Sequence, residues 1–265
     1  MTDQGNDEIR QAVREHYGRV AVEGSGCGCG TGCCGASPTT SLALGYTSSD
    51  LEAAPEGANL GLGCGNPQAI AALRPGEDVL DLGSGGGFDC FLAAKQVGPE
   101  GRVIGVDMTP EMVARARANA KQLDAQNVEF RLGEIEHLPV ADASVDVVLS
   151  NCVVNLSPDK PAVLREVFRV LRPGGRIALS DVVATAPLPC EIGEGVAAYM
   201  GCVAGAALVD DLRGWLDAAG FVETSVRVDE ASRAMIGEWL PGTGAERFVA
   251  SASIKGVKPN RAPRA

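Results

Sequence analysis

Aromatic residues make up only 4% of the 265-residue chain, and histidine occurs 2 times. So few rings leave little with which to stack a large flat apolar ligand. His16 and His137 stand in no spaced motif, so no histidine-rich metal centre is expected. There is no run of eighteen apolar residues, and no transmembrane helix is expected. The opening stretch carries Asp3, Asp7, Glu8, Arg10, Arg14 and Glu15, unlike a signal peptide, and the expected compartment is the cytoplasm. Basic residues are in deficit: 23 Lys and Arg against 34 Asp and Glu leave a net charge of −11, which argues against nucleic acid as a partner. No Cys-x-x-Cys pair occurs either, although there are 9 cysteines. That number is odd and too small for a disulfide scaffold, and in a reducing cytosol thiols are expected.

What is present is globular: 45% hydrophobic and 22% charged. Residues 6–22 read as an amphipathic helix with Ile9, Val13, Tyr17 and Val20 on its packing face. A glycine-rich loop follows, carrying Cys27, Cys29, Cys33 and Cys34 where glycine opposes helix and strand. Residues 36–77 are loop-rich and punctuated by Pro38, Pro55, Pro67 and Pro75. From Asp78 strands and helices alternate. Strands are expected at Asp78–Leu82, Arg102–Asp107, Val128–Leu132, Val145–Ser150 and Arg176–Asp181, and helices over 88–96, from Pro110 behind a Thr109 cap, and near 161–171. Unbroken apolar strands separated by helices predict an α/β fold, a doubly wound, mostly parallel sheet covered on both faces. After Asp181 an irregular Gly- and Ala-rich stretch (184–208) precedes a helix at 209–219 and strands near 221–228 and 247–254. The expected organisation is an N-terminal extension (1–69), a Rossmann-like cofactor domain (70–182), a substrate-covering insertion with sheet completion (183–257) and a disordered tail (258–265).

Val79-Leu80-Asp81-Leu82-Gly83-Ser84-Gly85-Gly86-Gly87-Phe88 lies at a strand end and opens a helix, where glycines let a ligand approach the backbone. A dinucleotide fingerprint wants glycine at position 88, which is Phe, and the acid Asp81 would repel a pyrophosphate. S-adenosylmethionine carries no phosphate but an ammonium and a sulfonium, which carboxylates favour. Asp107, ending the second strand, is placed to take ribose hydroxyls. Met108 is placed for an adenine face, and Glu134-Ile135-Glu136 for its edge. Together with Leu171-Arg172-Pro173-Gly174-Gly175, these segments resemble the class I S-adenosylmethionine-dependent methyltransferases over residues 70–182.

The acceptor must be argued from other residues. Cys152 follows a strand end and should face the crevice. Cys64 stands in a glycine loop and Cys202 in the irregular insertion, which is well placed as a lid. Three thiols from three distant loops suit a soft three-coordinate centre, and trivalent arsenic has that preference. Its lone pair is itself the nucleophile, so no general base is needed.

The segments 58–67, 80–90, 105–108, 150–156 and Gly201-Cys202 then resemble the bacterial arsenite methyltransferases over nearly the whole chain. That resemblance implies S-adenosylmethionine as methyl donor, bound by Asp81, Gly83, Ser84, Gly85, Gly87, Asp107, Met108, Glu134, Ile135, Glu136 and Asn151. It implies arsenic(III) on Cys64, Cys152 and Cys202, taken up from arsenite or its thiol adducts. It also implies a disulfide between Cys64 and an N-terminal cysteine, for which Cys27, Cys29, Cys33 and Cys34 compete. Glutathione or a thioredoxin-like reductant would restore the thiols. Cys90 reads as a core residue, and Cys190 receives no role. Two other readings stay open: a methyltransferase acting on a small organic acceptor, and a thiol metal-binding or redox protein that keeps only the fold.

Overall fold

The computed structural model describes residues 3–23, 38–189, 192, 199, 202–239 and 241–260. Five short apolar runs form the parallel half of one sheet: β1 (Asp78–Leu82), β2 (Arg102–Asp107), β3 (Val128–Leu132), β4 (Val145–Asn151) and β5 (Leu171–Ala184). The two-residue β6 (Ala207–Leu208) lies parallel beside the end of β5. β7 (Val222–Asp229) and β8 (Val249–Val257) complete the sheet in antiparallel pairs, giving the order β3-β2-β1-β4-β5-β8-β7. This is the doubly wound α/β sheet that the alternation of apolar runs implies.

The period of two along each strand divides the core between two faces. Leu80, Leu82, Val148, Ile177 and Leu179 pack on one face with Val163, Leu164 and Val167 of α7 (Lys160–Val170). Val79, Val103, Val147, Leu149 and Ala178 pack on the other, against Cys90, Phe91 and Ala94 of α5 (Phe88–Val97). A third cluster lies at the carboxyl ends of the strands and contains Cys64, Cys152, Cys202, Val182 and Ile236. Cys90 is thus a core residue, as its position on the glycine-loop helix suggests.

The remaining helices are α1 (Asp3–Glu23), α2 (Pro38–Ala43), α3 (Ser48–Ala53), α4 (Pro67–Ala71), α6 (Pro110–Gln122), α8 (Val209–Ala219) and α9 (Ser232–Trp239). α1 packs against α6, burying Val20 with Met112 and partly covering Tyr17, while its Val13 is buried in the third cluster with the cysteines. The chain reverses its direction of winding between β2-β1 and β1-β4, and at such a switch point open α/β sheets bind ligands.

Two expected limits move. The boundary at 182 falls inside β5, which runs on to Ala184 because β8 pairs with it from Arg176 to Ala184. The tail does not begin at Lys258. Its backbone exchanges hydrogen bonds with Gly174 and Gly175, and its ammonium donates to the carbonyls of Phe168 and Leu171 at 2.6 and 2.7 Å, closing the C-terminal end of α7. Residues 261–265 lie outside the described residues. No helix of the described residues is long and apolar enough to cross a membrane.

Candidate active site

An open crevice occupies the switch point. Its floor is the turn between β1 and α5. Gly83, with φ +63°, passes so close to Val153 that a Cβ there would lie 2.3 Å from its methyl group, and a Cβ on Gly86 would lie 2.8 Å from the Ala58 carbonyl. Asp107, at the end of β2, is fixed by the N–H groups of Gly85 at 3.0 Å and Thr109 at 2.8 Å. Thr109 occupies the start of α6 without capping it through its side chain. Burial raises the Asp107 carboxyl above its ordinary value, against the pull of those two N–H groups.

Asp81 and Asp89 line the same crevice. Burial and the neighbouring Asp89 charge push Asp81 well up, while the Cys90 thiol donates to it at 3.3 Å. Asp89 is raised by burial too, although it accepts from the Tyr46 hydroxyl at 2.8 Å. Asn151 joins this group to the cysteines. Its Nδ2 donates to Tyr46 Oη at 3.1 Å and to the Gly65 carbonyl at 2.9 Å, and its Oδ1 accepts from the Cys64 N–H at 3.1 Å.

Glu136 is buried, accepts from Ser157 Oγ at 2.7 Å and lies 3.4 Å from the Arg10 guanidinium on α1. Among the described lining residues Arg10 is the one cation, facing Asp81, Asp89, Asp107 and Glu136. Such an imbalance rejects a pyrophosphate and suits a cationic ligand. The Ser84 hydroxyl is buried without a partner, a donor left for a bound molecule. The glycine cradle, the unpaired hydroxyl and the carboxylates together fit S-adenosylmethionine.

Cys152 lies at the rim, just past β4. Its sulfur is bonded to that of Cys64, with Cα atoms 5.8 Å apart. The bridge implied for Cys64 is therefore made to Cys152 and not to an N-terminal thiol. The physical reason is local: the Cys64 N–H is held by Asn151, next in sequence to Cys152, and Ser180 takes the Cys152 N–H at 2.8 Å while its carbonyl lies 3.8 Å from Cys64 Sγ. Cys27, Cys29, Cys33, Cys34 and Cys190 lie outside the described residues. Cys202 closes over the pair, its thiol donating to the Cys152 carbonyl at 3.3 Å. Cys152 and Cys202 both hold φ at +60°, a left-handed conformation costing on the order of 1 kcal/mol outside glycine. Beneath them Asp181 is buried, and that burial lifts its carboxyl to about 7.

A methyltransferase-domain family matches residues 73–220. The chain is 52% identical to the arsenite methyltransferase of Halobacterium salinarum, over 98% of this chain and 69% of that protein. The chain belongs to the arsenite methyltransferase family. It is 39% identical to the arsenite methyltransferase of Aquipseudomonas alcaligenes over 84% of this chain and 64% of that one. The crystal structure of an arsenic(III) S-adenosylmethionine methyltransferase from Chlamydomonas reinhardtii superimposes with a TM-score of 0.61 and 34% identity, covering 85% of this chain and 74% of that one.

In this member of the family Asp81, Gly83, Ser84, Gly85, Asp107, Met108, Ile135, Glu136, Asn151 and Cys152 line the crevice. Two residues expected there face elsewhere. Glu134 is not among its lining residues and pairs with Arg14 at 3.2 Å and with the lining residue Arg10 at 3.6 Å. A Cβ on Gly87 would meet the Phe130 and Phe91 rings, so this glycine serves the packing of α5. Tyr46, Asp89, Ser157 and Arg10 line the crevice without having been singled out. Asp89 had a visible signal, an acid in the first turn of the glycine-loop helix, whereas Tyr46 and Arg10 arrive from segments with no motif.

Proposed function

We propose that the chain methylates trivalent arsenic bound to the thiolates of Cys64, Cys152 and Cys202, in the cytoplasm, with glutathione or a thioredoxin-like protein renewing the thiols. One observation supports this above the others. Three cysteines from distant parts of the sequence meet at the rim of a cation-suited crevice, two bonded and the third 3.3 Å from the Cys152 carbonyl. A methyltransferase for an organic acceptor has no use for that convergence.

When bound, S-adenosylmethionine supplies an electrophilic methyl group on a cationic sulfur. Asp107 would take the ribose hydroxyls, Met108 and Ile135 would flank the adenine, and Ser84 and the cradle backbone would hold the amino-acid portion. Asp81 and Asp89 offset its positive charge. On the other side of Cys152, the thiols displace the hydroxyls of arsenite as water, each giving up its proton. Sulfur-bound arsenic keeps its lone pair, so the site requires no general base. Holding both partners side by side supplies most of the acceleration. Methylation leaves arsenic pentavalent. Cys64 and Cys152 return two electrons by leaving arsenic together as their disulfide, and the trivalent methylarsenic cation left on Cys202 takes up one water and releases one proton. An external thiolate, or one relayed through Cys27, Cys29, Cys33 or Cys34, reopens the bond by exchange.

The test is turnover with arsenite, S-adenosylmethionine and a thiol, with arsenic species separated by chromatography. The parent is expected to yield methylated arsenic, with loss of about a hundredfold or more in Cys152→Ser and Cys202→Ser. Cofactor binding without any methylated arsenic from the parent would overturn the reading.

A further inference from the structure

Asp181 has no part in the scheme above, yet it completes a donor set. Its carboxylate and the sulfurs of Cys64 and Cys152 lie within 4.8 Å of one another, and all three residues are buried. They come from a loop, the end of β4 and β5, so their meeting is a product of the fold and not of sequence adjacency. The carboxylate is oriented by the Val182 N–H at 2.8 Å and the Asn155 N–H at 3.2 Å, the kind of outer support that metal-ligating carboxylates receive. Lys160 donates to the Ser157 carbonyl at 3.0 Å, and its charge favours the Asp181 carboxylate from nearby.

Two thiolates and a carboxylate are donors for a tetrahedral zinc-class ion, whose ligand atoms stand about 3.5–3.8 Å apart at ordinary bond lengths. Trivalent arsenic completes its preference with sulfur alone and gains nothing from an oxyanion. A dication gains directly, and with the Lys160 ammonium it balances three anionic donors.

We propose that, once the Cys64–Cys152 bond is reduced, this pocket takes a soft divalent cation of the zinc class on Cys64, Cys152 and Asp181, and that the cation and arsenite exclude one another. Two thiols release their protons to solvent as two metal–sulfur bonds form, with no change of oxidation state, and water fills the fourth position. The inference shares two cysteines with the arsenic reading but stands without it.

The test uses the full chain with Cys27, Cys29, Cys33 and Cys34 replaced by Ser, so that the N-terminal thiols take no metal. A phosphine reductant opens the disulfide, gaining an oxygen from water as it is oxidised. Zinc affinity is read by competition with a chromophoric chelator, and arsenite by mass spectrometry of the gel-filtered protein. The reduced chain is expected to bind one zinc and the oxidised chain none, and zinc should displace arsenite. Asp181→Asn should weaken zinc by about tenfold or more while leaving arsenite within about twofold, and Cys202→Ser should do the reverse. Cobalt(II) on the unsubstituted Asp181 chain should show charge-transfer intensity for two thiolates, a reading independent of how any Asp181 variant folds. Zinc binding by the oxidised chain, equal zinc loss in Cys202→Ser, simultaneous binding of zinc and arsenite, or three-thiolate cobalt intensity would each overturn the proposal.

Discussion

Asn151 accepts the Cys64 N–H through Oδ1 and donates through Nδ2 to the Gly65 carbonyl and the Tyr46 hydroxyl. One amide therefore fastens the cysteine loop to the cofactor crevice. Gly63 is required beside it, since a Cβ there would lie 2.6 Å from Asn151 Nδ2. Asn151→Ala strands a backbone donor and a backbone acceptor, and the expected cost is about 1–3 kcal/mol by urea denaturation of the reduced protein. An unchanged midpoint would mean that something else pins the loop. The pairing of Cys64 with Cys152 was not legible in the sequence. The two are separated by 88 residues, and only Asn151 and Ser180, brought together by β4 and β5, select that partner.

The turn between β1 and α5 was the most legible element, because a strand end, a glycine run and a helix start are all local signals. Its Gly86 faces Ala58 backbone, so Gly86→Ala must displace the turn or the 57–58 loop. We expect cofactor affinity to fall by about tenfold or more by calorimetry, equivalent to at least ~1.4 kcal/mol. An affinity within twofold of the parent would show that the cradle does not set the approach. Other parts of the crevice wall were not legible. Glu134 and Glu136 look equivalent in sequence, yet only Glu136 turns inward to Ser157, while Glu134 meets Arg14. α1 reads as a packing helix and is one, but it also delivers Arg10 to the crevice from a face that carries no motif.

Across the whole molecule two sets of carboxyl groups act in opposite directions with pH. Asp81, Asp89 and Asp107 have folded values raised above 3.8, burial being the first cause in each. The native state then binds protons that the unfolded chain has released, so stability falls as pH rises from 3.8 through the raised values. Glu129 is held down to about 2 by Arg131 and Arg102, and its contribution is present above 4.5 and lost as pH falls toward 2. These three groups lie at the surface, and their weight is small. Asp181 is raised by burial to about 7, so the cofactor-free chain should melt at lower temperature at about pH 8 than at about pH 5.5, and Asp181→Asn should flatten that decline. A melting temperature that rises over the same interval would contradict the sign.

The central claim is that the three cysteines act as one ligand set for arsenic. X-ray absorption at the arsenic edge, on reduced chain loaded with arsenite and lacking the four N-terminal thiols, tests it most directly. The account predicts three sulfur neighbours in the parent, and mixed sulfur and oxygen coordination in Cys202→Ser. Two sulfurs in the parent, or three still present in the Cys202→Ser protein, would contradict it.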